Sequence, residues 1–282
     1  MKWLFHFILS HSIFIAFCAA ALSLQTLQLL SLPTNRYLLA FIFFAALGGY
    51  NAYWILSNYS FNRHIKFRIF LQKRTSSFFV LIAAITGMFF CLAHLHLFMY
   101  NMIIAALLLT VYSLPVTPFK RMHFILKAGV LKTIVLALAW TIITTMVPLQ
   151  ISIVSMGNTA LLIFISRFLF MLMLCIIFDK RDAAVDKLRG LQSLATEIKP
   201  MILHYLIGFI FAGHLFISYL MLAQQVSTGR VIALIITGLI TFFVYISSLK
   251  KRGYFFYYFL VDGLMFLSAV LTELAGFVIY GT

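Results

Sequence analysis

Three aspartates in the middle of the chain are the side chains best suited to do chemistry. Asp179, Asp182 and Asp186 are spaced i, i+3 and i+7, which places them on one face of a helix. They are half of the six acidic residues in the chain, and Lys and Arg are interleaved with them. Like charges on one face repel each other unless a cation lies among them. The pattern therefore predicts a divalent metal ion, bound by carboxylates, that carries a phosphate group.

The elements that position these aspartates are expected to be transmembrane helices. Hydrophobic residues make up 64% of the 282 residues and charged residues only 10%. Apolar runs of about 20 residues recur, and their lack of alternation excludes a β-barrel. We predict an all-α polytopic membrane protein, a single helical domain over residues 1–282, with nine spans at residues 7–29, 37–57, 77–96, 98–114, 128–148, 159–178, 200–223, 229–248 and 255–280.

The basic residues predict the orientation of the bundle. Of the 21 Lys and Arg residues, 16 fall in four alternate loops, whereas the loops on the other side hold only Arg36 and Arg230. The positive-inside rule places the basic loops and the N-terminus in the cytoplasm and the C-terminus outside, in a bacterial-type inner membrane. The net charge of +15 then reflects topology and not binding to nucleic acid. Lys2, with the apolar run up to Ala21, also fits a cleaved signal peptide, which would leave eight spans.

A solvated loop, in which the acids balance neighbouring Lys and Arg, is the simplest alternative for the aspartate cluster. Against it, the other three basic loops contain no Asp or Glu, so acids are specific to the loop after the sixth span. Two further charged residues, Arg167 and Asp262, fall inside apolar spans. Because charges are costly in lipid, they are candidates for lining a polar cavity within the bundle.

These features together resemble the UbiA superfamily of membrane prenyltransferases. That family has nine helices and a second aspartate-rich motif of the form Asp-x-x-Asp-x-x-x-Asp after helix six, which Asp179, Asp182 and Asp186 match. The stretch Tyr112-Ser113-Leu114-Pro115, followed by Lys120 and Arg121, is similar to a Tyr-Ser-x-Pro…Lys-Arg stretch after helix four. The resemblance implies Mg²⁺ on the three aspartates and contacts between a diphosphate and four residues: Lys120, Arg121, Arg181 and Asn51.

The chain departs from the family at its first motif, Asn-Asp-x-x-Asp-x-x-x-Asp, which follows helix two. Asn51 matches the leading Asn, but Ala52, Ile55 and Tyr59 stand where the three aspartates would be. Asn58 is one position from the last of them and is, with Tyr112, a candidate cavity-lining residue. Asn51 and Asn58 offer carbonyl oxygens but no negative charge, so a single metal ion at the second motif is the expectation.

The resemblance implies an enzyme that uses Mg²⁺ to transfer an isoprenyl group from a diphosphate donor to a lipophilic acceptor, aromatic or quinone-type. The missing aspartates keep a second hypothesis open: a non-catalytic relative that binds or moves a lipid or quinone, or assists a membrane partner. An ion-coupled transporter is disfavoured, because Gly and Pro do not mark paired discontinuous helices in the two halves.

Overall fold

The structure is a computed structural model that describes residues 2–61, 75–95, 101–104, 106–107, 129–150, 157–189 and 193–280. Every regular element in these ranges is helical and none is a β-strand, which confirms the predicted all-α class. The α-helices are α1 Lys2–Ser10, α2 Ile13–Leu29, α3 Arg36–Phe61, α4 Thr75–Leu92, α5 Gly129–Thr141, α6 Asn158–Arg189, α7 Leu194–Glu197, α8 Pro200–Leu220, α9 Thr228–Ser247 and α10 Asp262–Tyr280.

Two helices contain a π-helical turn. The turn Ile142–Met146 and the short helix Val147–Leu149 continue α5, and the turn Phe256–Val261 leads directly into α10. A 3₁₀ turn, Met221–Gln224, extends α8. Single π turns are frequent at functional sites because they shift the register of the side chains that follow.

The predicted spans correspond to helices wherever the chain is described. Six helical segments are long and apolar enough to cross a membrane: 36–56, 130–149, 158–184, 200–224, 228–247 and 256–276. The apolar helices Ile13–Leu29 and Ser76–Leu92 are shorter. The span predicted at 98–114 falls mostly outside the described residues, so the count of nine and the single-domain assignment stay predictions.

Two predicted boundaries differ from the structure. The span at 7–29 is divided into α1 and α2, because Ser12 adopts the left-handed conformation with φ 60°, which no continuous α-helix can contain. The span predicted to end at residue 178 continues as α6 to Arg189. Its added residues are mostly good helix formers and contain no Gly or Pro before Gly190, so the aspartate run is helical.

We call the end of the bundle at which α6 ends the basic face. The chain order places Lys180, Arg181, Lys199 and the run Lys250–Arg252 at this end, while Arg36 and Arg230 lie in the first turns of helices that start at the other end. Side chains that point away from the bundle are large and apolar, as expected for contact with lipid; examples are Phe209, Tyr205, Phe79 and Phe243.

Helix α2 is the centre of the packing. It lies between α3 and α10 and also contacts the π turn that continues α5. Its residues Ala16, Cys18 and Ala19 are fully buried, and small side chains allow helices to approach closely within a membrane. Helices α3 and α4 pack as a close pair, in which a Cβ atom added to Gly87 would lie 2.7 Å from the ring of Phe44.

Pro148 explains the irregular end of α5. Proline has no N–H and its ring crowds the carbonyl four residues earlier, which here belongs to Thr144. The Thr144 carbonyl instead accepts a hydrogen bond from the Thr26 hydroxyl on α2 at 2.8 Å. A backbone group freed inside a membrane protein thus has a partner on a neighbouring helix, as the absence of water demands.

Candidate functional site

The aspartates at the end of α6 lie where the helix reaches the basic face. Asp179 and Asp182 are both partly buried, one helical turn apart. Asp179 Oδ2 accepts a hydrogen bond from the Thr133 hydroxyl of α5, which fixes the carboxylate between the two helices. Asp186 lies on the next turn of α6, and its side chain is outside the described part of the structure.

Arg181 holds the second aspartate in a two-point contact. Its Nε and Nη2 atoms donate to Oδ1 and Oδ2 of Asp182, each at 2.7 Å. The guanidinium carbon lies 4.8 Å from the ring centroids of Phe178 and Tyr258 and 5.4 Å from that of Tyr257. Three aromatic faces therefore stabilise this cation, and the π turn before α10 supplies two of them.

Asp262 brings a fourth carboxylate to the same end of the bundle. It is the first residue of α10 and is only 4% exposed. Its Oδ1 atom is buried and has no hydrogen-bond partner among the described residues. The carboxylate interacts electrostatically with Arg181, and also with Tyr50 of α3 and Cys175 of α6. Asp179, Arg181, Asp182 and Asp262 are called the basic-face site below.

Asn51 lies beside the break between α1 and α2. Its Nδ2 donates to the carbonyl oxygens of His11 and Leu47, both at 2.9 Å, and the residue is 3% exposed. One of these carbonyls belongs to the interrupted helix end, so Asn51 satisfies a backbone group that the break leaves free. The contact between Asn51 and a diphosphate stays a prediction, because the amide nitrogen donates to these two carbonyls instead.

Arg167 lies in a separate network nearer the middle of the bundle. It is 4% exposed and donates to the Leu22 carbonyl at 3.2 Å, to Gln25 Oε1 at 2.7 Å and to Thr26 Oγ1 at 3.3 Å. Gln25 in turn donates to the hydroxyls of Ser268 and Thr272 on α10. Arg167 forms no ion pair with Asp262. The adjoining cavity measures about 10 Å³, room for one water molecule.

No metal-binding cluster of three His, Cys, Asp or Glu side chains occurs among the described residues. Asp179 and Asp182 provide two carboxylates on one helix face, and Asp186 continues that face. This set offers the oxygen donors that Mg²⁺ prefers, so the residues present fit the ion. The predicted Mg²⁺ site stays a prediction, because its third ligand is not described.

A solved structure contains a similar arrangement of helices. The chain is similar to the ligand-free structure of a UbiA homolog from Aeropyrum pernix K1, with a TM-score of 0.60 and 13% sequence identity, over 96% of this chain and 98% of that one. The chain has the UbiA fold. No family model and no curated protein sequence matches it. The likeness and the apolar helices together identify an integral membrane protein with this fold.

Several residues that the resemblance to UbiA proteins singles out cannot be placed. Tyr112, Lys120 and Arg121 lie outside the described residues, and Asn58 is in α3 but its side chain is not described. Sequence reasoning also missed residues that the fold brings to the site. Tyr50 accepts a hydrogen bond from Trp140 Nε1 at 3.1 Å, and its apolar surroundings in sequence gave no signal of a polar role.

Proposed function

We propose that this protein binds an isoprenyl diphosphate at the basic-face site and transfers its isoprenyl group to a lipophilic acceptor. The observation that carries the proposal is the acidic end of α6, where Asp179 and Asp182 lie beside Arg181 in a bundle with the UbiA fold. Carboxylates on one face of a helix repel each other, and a bound metal ion that carries a diphosphate would explain why they occur together.

In this reaction, the bond between the allylic carbon and the diphosphate oxygen breaks, and both electrons stay with the diphosphate. A new bond forms between that carbon and a nucleophilic atom of the acceptor, which loses a proton. Bound Mg²⁺ would neutralise charge that develops on the leaving diphosphate. Asp179, Asp182 and Asp186 would hold the ion, and Arg181 with Lys120 and Arg121 would bind the remaining diphosphate oxygens.

Apolar side chains beside the site suit an isoprenoid tail. The rings of Phe178, Tyr257 and Tyr258 surround Arg181, and the helices beyond them contribute buried apolar side chains of α6 and α10, such as Leu174 and Met265. An isoprenoid tail lying among these side chains would leave its diphosphate at the basic face, which we place in the cytoplasm.

A non-catalytic protein that binds or moves a lipid or quinone, or assists a membrane partner, is the second candidate. Two observations favour it. The amide nitrogen of Asn51 already donates to two backbone carbonyls, and the charge of Asp182 is already neutralised by Arg181. With the aspartates of the first motif replaced, the site holds fewer charges for a diphosphate than the family pattern supplies.

A binding measurement on purified protein in detergent tests the proposal. The ligand is geranylgeranyl or farnesyl diphosphate, and the buffer contains either Mg²⁺ or EDTA. We expect binding that requires Mg²⁺ and is lost in Asp182→Ala, with Asp182→Asn as the milder variant that keeps an oxygen for Arg181. Glu273→Gln is the matched control, because it removes an acid that Gln28 binds at the other end of α10. Binding of equal strength in EDTA, or in Asp182→Ala, would refute the metal site. Metal-dependent binding without transfer to any acceptor would favour the second candidate.

A further inference from the structure

An apolar groove between α3 and α4 opens on the outside of the bundle. Its volume is about 610 Å³, within the range of ligand-binding pockets. Helix α3 contributes Ala40 and Phe44 to its lining, and α4 contributes Gly87, Phe90 and Cys91. Because Gly87 has no side chain, the ring of Phe44 can lie against the backbone of α4. The groove is therefore a feature of the close packing between these two helices.

The interior of the groove suits a hydrocarbon chain. The hydroxyl of Thr86 also lines it, but this hydroxyl donates within its own helix to the carbonyls of Ile82 and Ala83, at 3.0 and 3.1 Å. The remaining lining at this depth is apolar, so a polar ligand group would lose its hydrogen bonds to water there without replacement.

The length of the groove matches one leaflet of a membrane. It extends along α3 from Arg36 to Phe44, and eight residues of an α-helix span about 12 Å. Half of the hydrocarbon core of a bilayer measures about 15 Å. A chain that enters at Arg36 and lies along the groove would thus cross most of the leaflet.

The mouth of the groove carries a cation that the described part of the protein does not use. The guanidinium of Arg36 forms no hydrogen bond and no ion pair with a described residue. Arg230, which lies at the same end of the bundle, is held instead by the Gln28 carbonyl and by the Ser31 hydroxyl. Arg36 is therefore available to an anion from outside the chain.

The neighbours of Arg36 place it at the level of lipid headgroups. Tyr37 is 43% exposed, and its ring stacks on that of His94 with the centroids 4.6 Å apart. Exposed rings with a polar edge are typical of the boundary between hydrocarbon and headgroups. Asn35 Oδ1 caps α3 by accepting from the backbone nitrogens of Tyr37 and Leu38. An anion at this boundary would accordingly bind the Arg36 side chain and not the end of the helix.

We infer that the groove binds a glycerophospholipid with an anionic headgroup. One acyl chain lies between α3 and α4, and the phosphate contacts Arg36, which can donate to it through two N–H groups. No acidic side chain lines the groove within the described residues, so the ammonium of a zwitterionic headgroup finds no partner there. This lipid site lies at the end of the bundle opposite the basic-face site and does not depend on the proposed transfer reaction.

Photochemical cross-linking locates the lipid and measures its preference. A phosphatidylglycerol with a diazirine on one acyl chain is mixed with the purified protein in detergent, irradiated, and mapped by peptide mass spectrometry. Unlabelled phosphatidylglycerol, phosphatidylcholine and glycerol phosphate serve as competitors. The variants are Arg36→Gln, Arg36→Lys and Ala40→Phe, which fills the groove. Lys251→Gln is the control, because it removes an exposed cation at the basic face.

We expect cross-links concentrated on the groove residues of α3 and α4. Phosphatidylglycerol should displace the probe at about fivefold lower concentration than phosphatidylcholine, the factor that one basic residue contributes beside anionic headgroups. Arg36→Gln should abolish this preference, whereas Arg36→Lys and Lys251→Gln should keep it. Ala40→Phe should lose the cross-links, with circular dichroism as the check that it folds. Arg36 makes no described contact, so its variants test the site even if Ala40→Phe does not fold.

Cross-links spread evenly over the exposed faces of α8 and α9 as well would overturn the inference, because they indicate ordinary bilayer contact. A preference that persists in Arg36→Gln, or equal displacement by both lipids in the wild type, would do the same. Displacement by glycerol phosphate alone would indicate an anion site without an acyl chain. A dimer in gel filtration whose second copy shields α3 and α4 from the probe would show that protein, and not lipid, occupies the groove.

Discussion

Replacing Gln25 by Leu is expected to be one of the most damaging polar substitutions in the bundle. Gln25 is fully buried in α2 and joins three helices. Its Nε2 donates to the Ser268 carbonyl and hydroxyl at 2.9 Å and to Thr272 Oγ1 at 2.7 Å, while its Oε1 accepts from Arg167 at 2.7 Å. Leucine is similar in volume and apolar, so the change removes hydrogen bonds without opening a large cavity.

The cost is dominated by the bond to the buried guanidinium. A hydrogen bond to a charged group contributes about 1.5–3 kcal/mol, and neutral bonds between membrane helices average about 0.6 kcal/mol. Ser268 and Thr272 keep the hydrogen bond between them, at 2.9 Å, so their loss is small. We therefore expect Gln25→Leu to lower the free energy of unfolding by about 2–4 kcal/mol.

The variant Arg167→Met separates the contribution of the charged hydrogen bond between Arg167 and Gln25 from that of the neutral hydrogen bonds. Removing a buried cation recovers the free energy spent on keeping it out of water, so we expect this variant to lose only about 1–2 kcal/mol. In the Arg167→Met background, Gln25→Leu should lose only about 1 kcal/mol, because the charge-assisted bond is already absent.

Reversible unfolding in mixed detergent micelles, followed by circular dichroism, measures the four members of this cycle. Thr86→Val is the control, because Thr86 is exposed on α4 and bonds only within its own helix, and it should change stability by less than about 0.5 kcal/mol. Additive costs for the Gln25 and Arg167 substitutions would contradict the coupling described here. A single variant Arg167→Met that fails to fold would also refute the view that this cation is dispensable for stability.

Two further substitutions test the packing around the site. Asn51→Asp should destabilise the protein by about 1–3 kcal/mol, and by more than Asn51→Leu does. The reason is that a carboxylate cannot donate to the His11 and Leu47 carbonyls and is repelled by them. Thermal unfolding that ranks the two variants in the opposite order would contradict this role. Gly87→Leu should lower stability by about 1–3 kcal/mol through its clash with Phe44, and Phe44→Ala in the same chain should recover part of the loss; no recovery in the same assay would mean that the strain lies elsewhere.

The hydropathy of the chain predicts most of the fold, because a membrane span needs only length and apolar character. The helices α3, α8 and α9 therefore lie close to the predicted segments. The Asp179–Asp186 run was expected in the loop after the sixth span, whereas the structure continues that span as a helix through it. The break at Ser12 did not, since nothing in the apolar run around it marks a left-handed residue.

The partners inside the bundle were less accessible to sequence reasoning. Arg167 stands out in the sequence as a charge that is costly in lipid, but its acceptor Gln25 is 142 residues away and looks like one polar residue in an apolar helix. Asp262 and Arg181 both stand out as charged residues, yet their proximity depends on how the π turn packs against the end of α6. Such pairings are fixed by helix packing, and a single sequence contains no direct signal of them.

The most direct test of the central claim is a spectroscopic one. Mn²⁺ replaces Mg²⁺ in the purified protein, a farnesyl diphosphate is added, and electron spin resonance measures coupling between the metal and the ³¹P nuclei. We expect Mn²⁺ to bind the wild type and to show ³¹P coupling there. The double variant Asp179→Asn/Asp182→Asn should lose both the metal binding and the coupling. Absence of ³¹P coupling in the wild type, or coupling that persists in the double variant, would show that the acidic end of α6 does not hold a metal–diphosphate ligand.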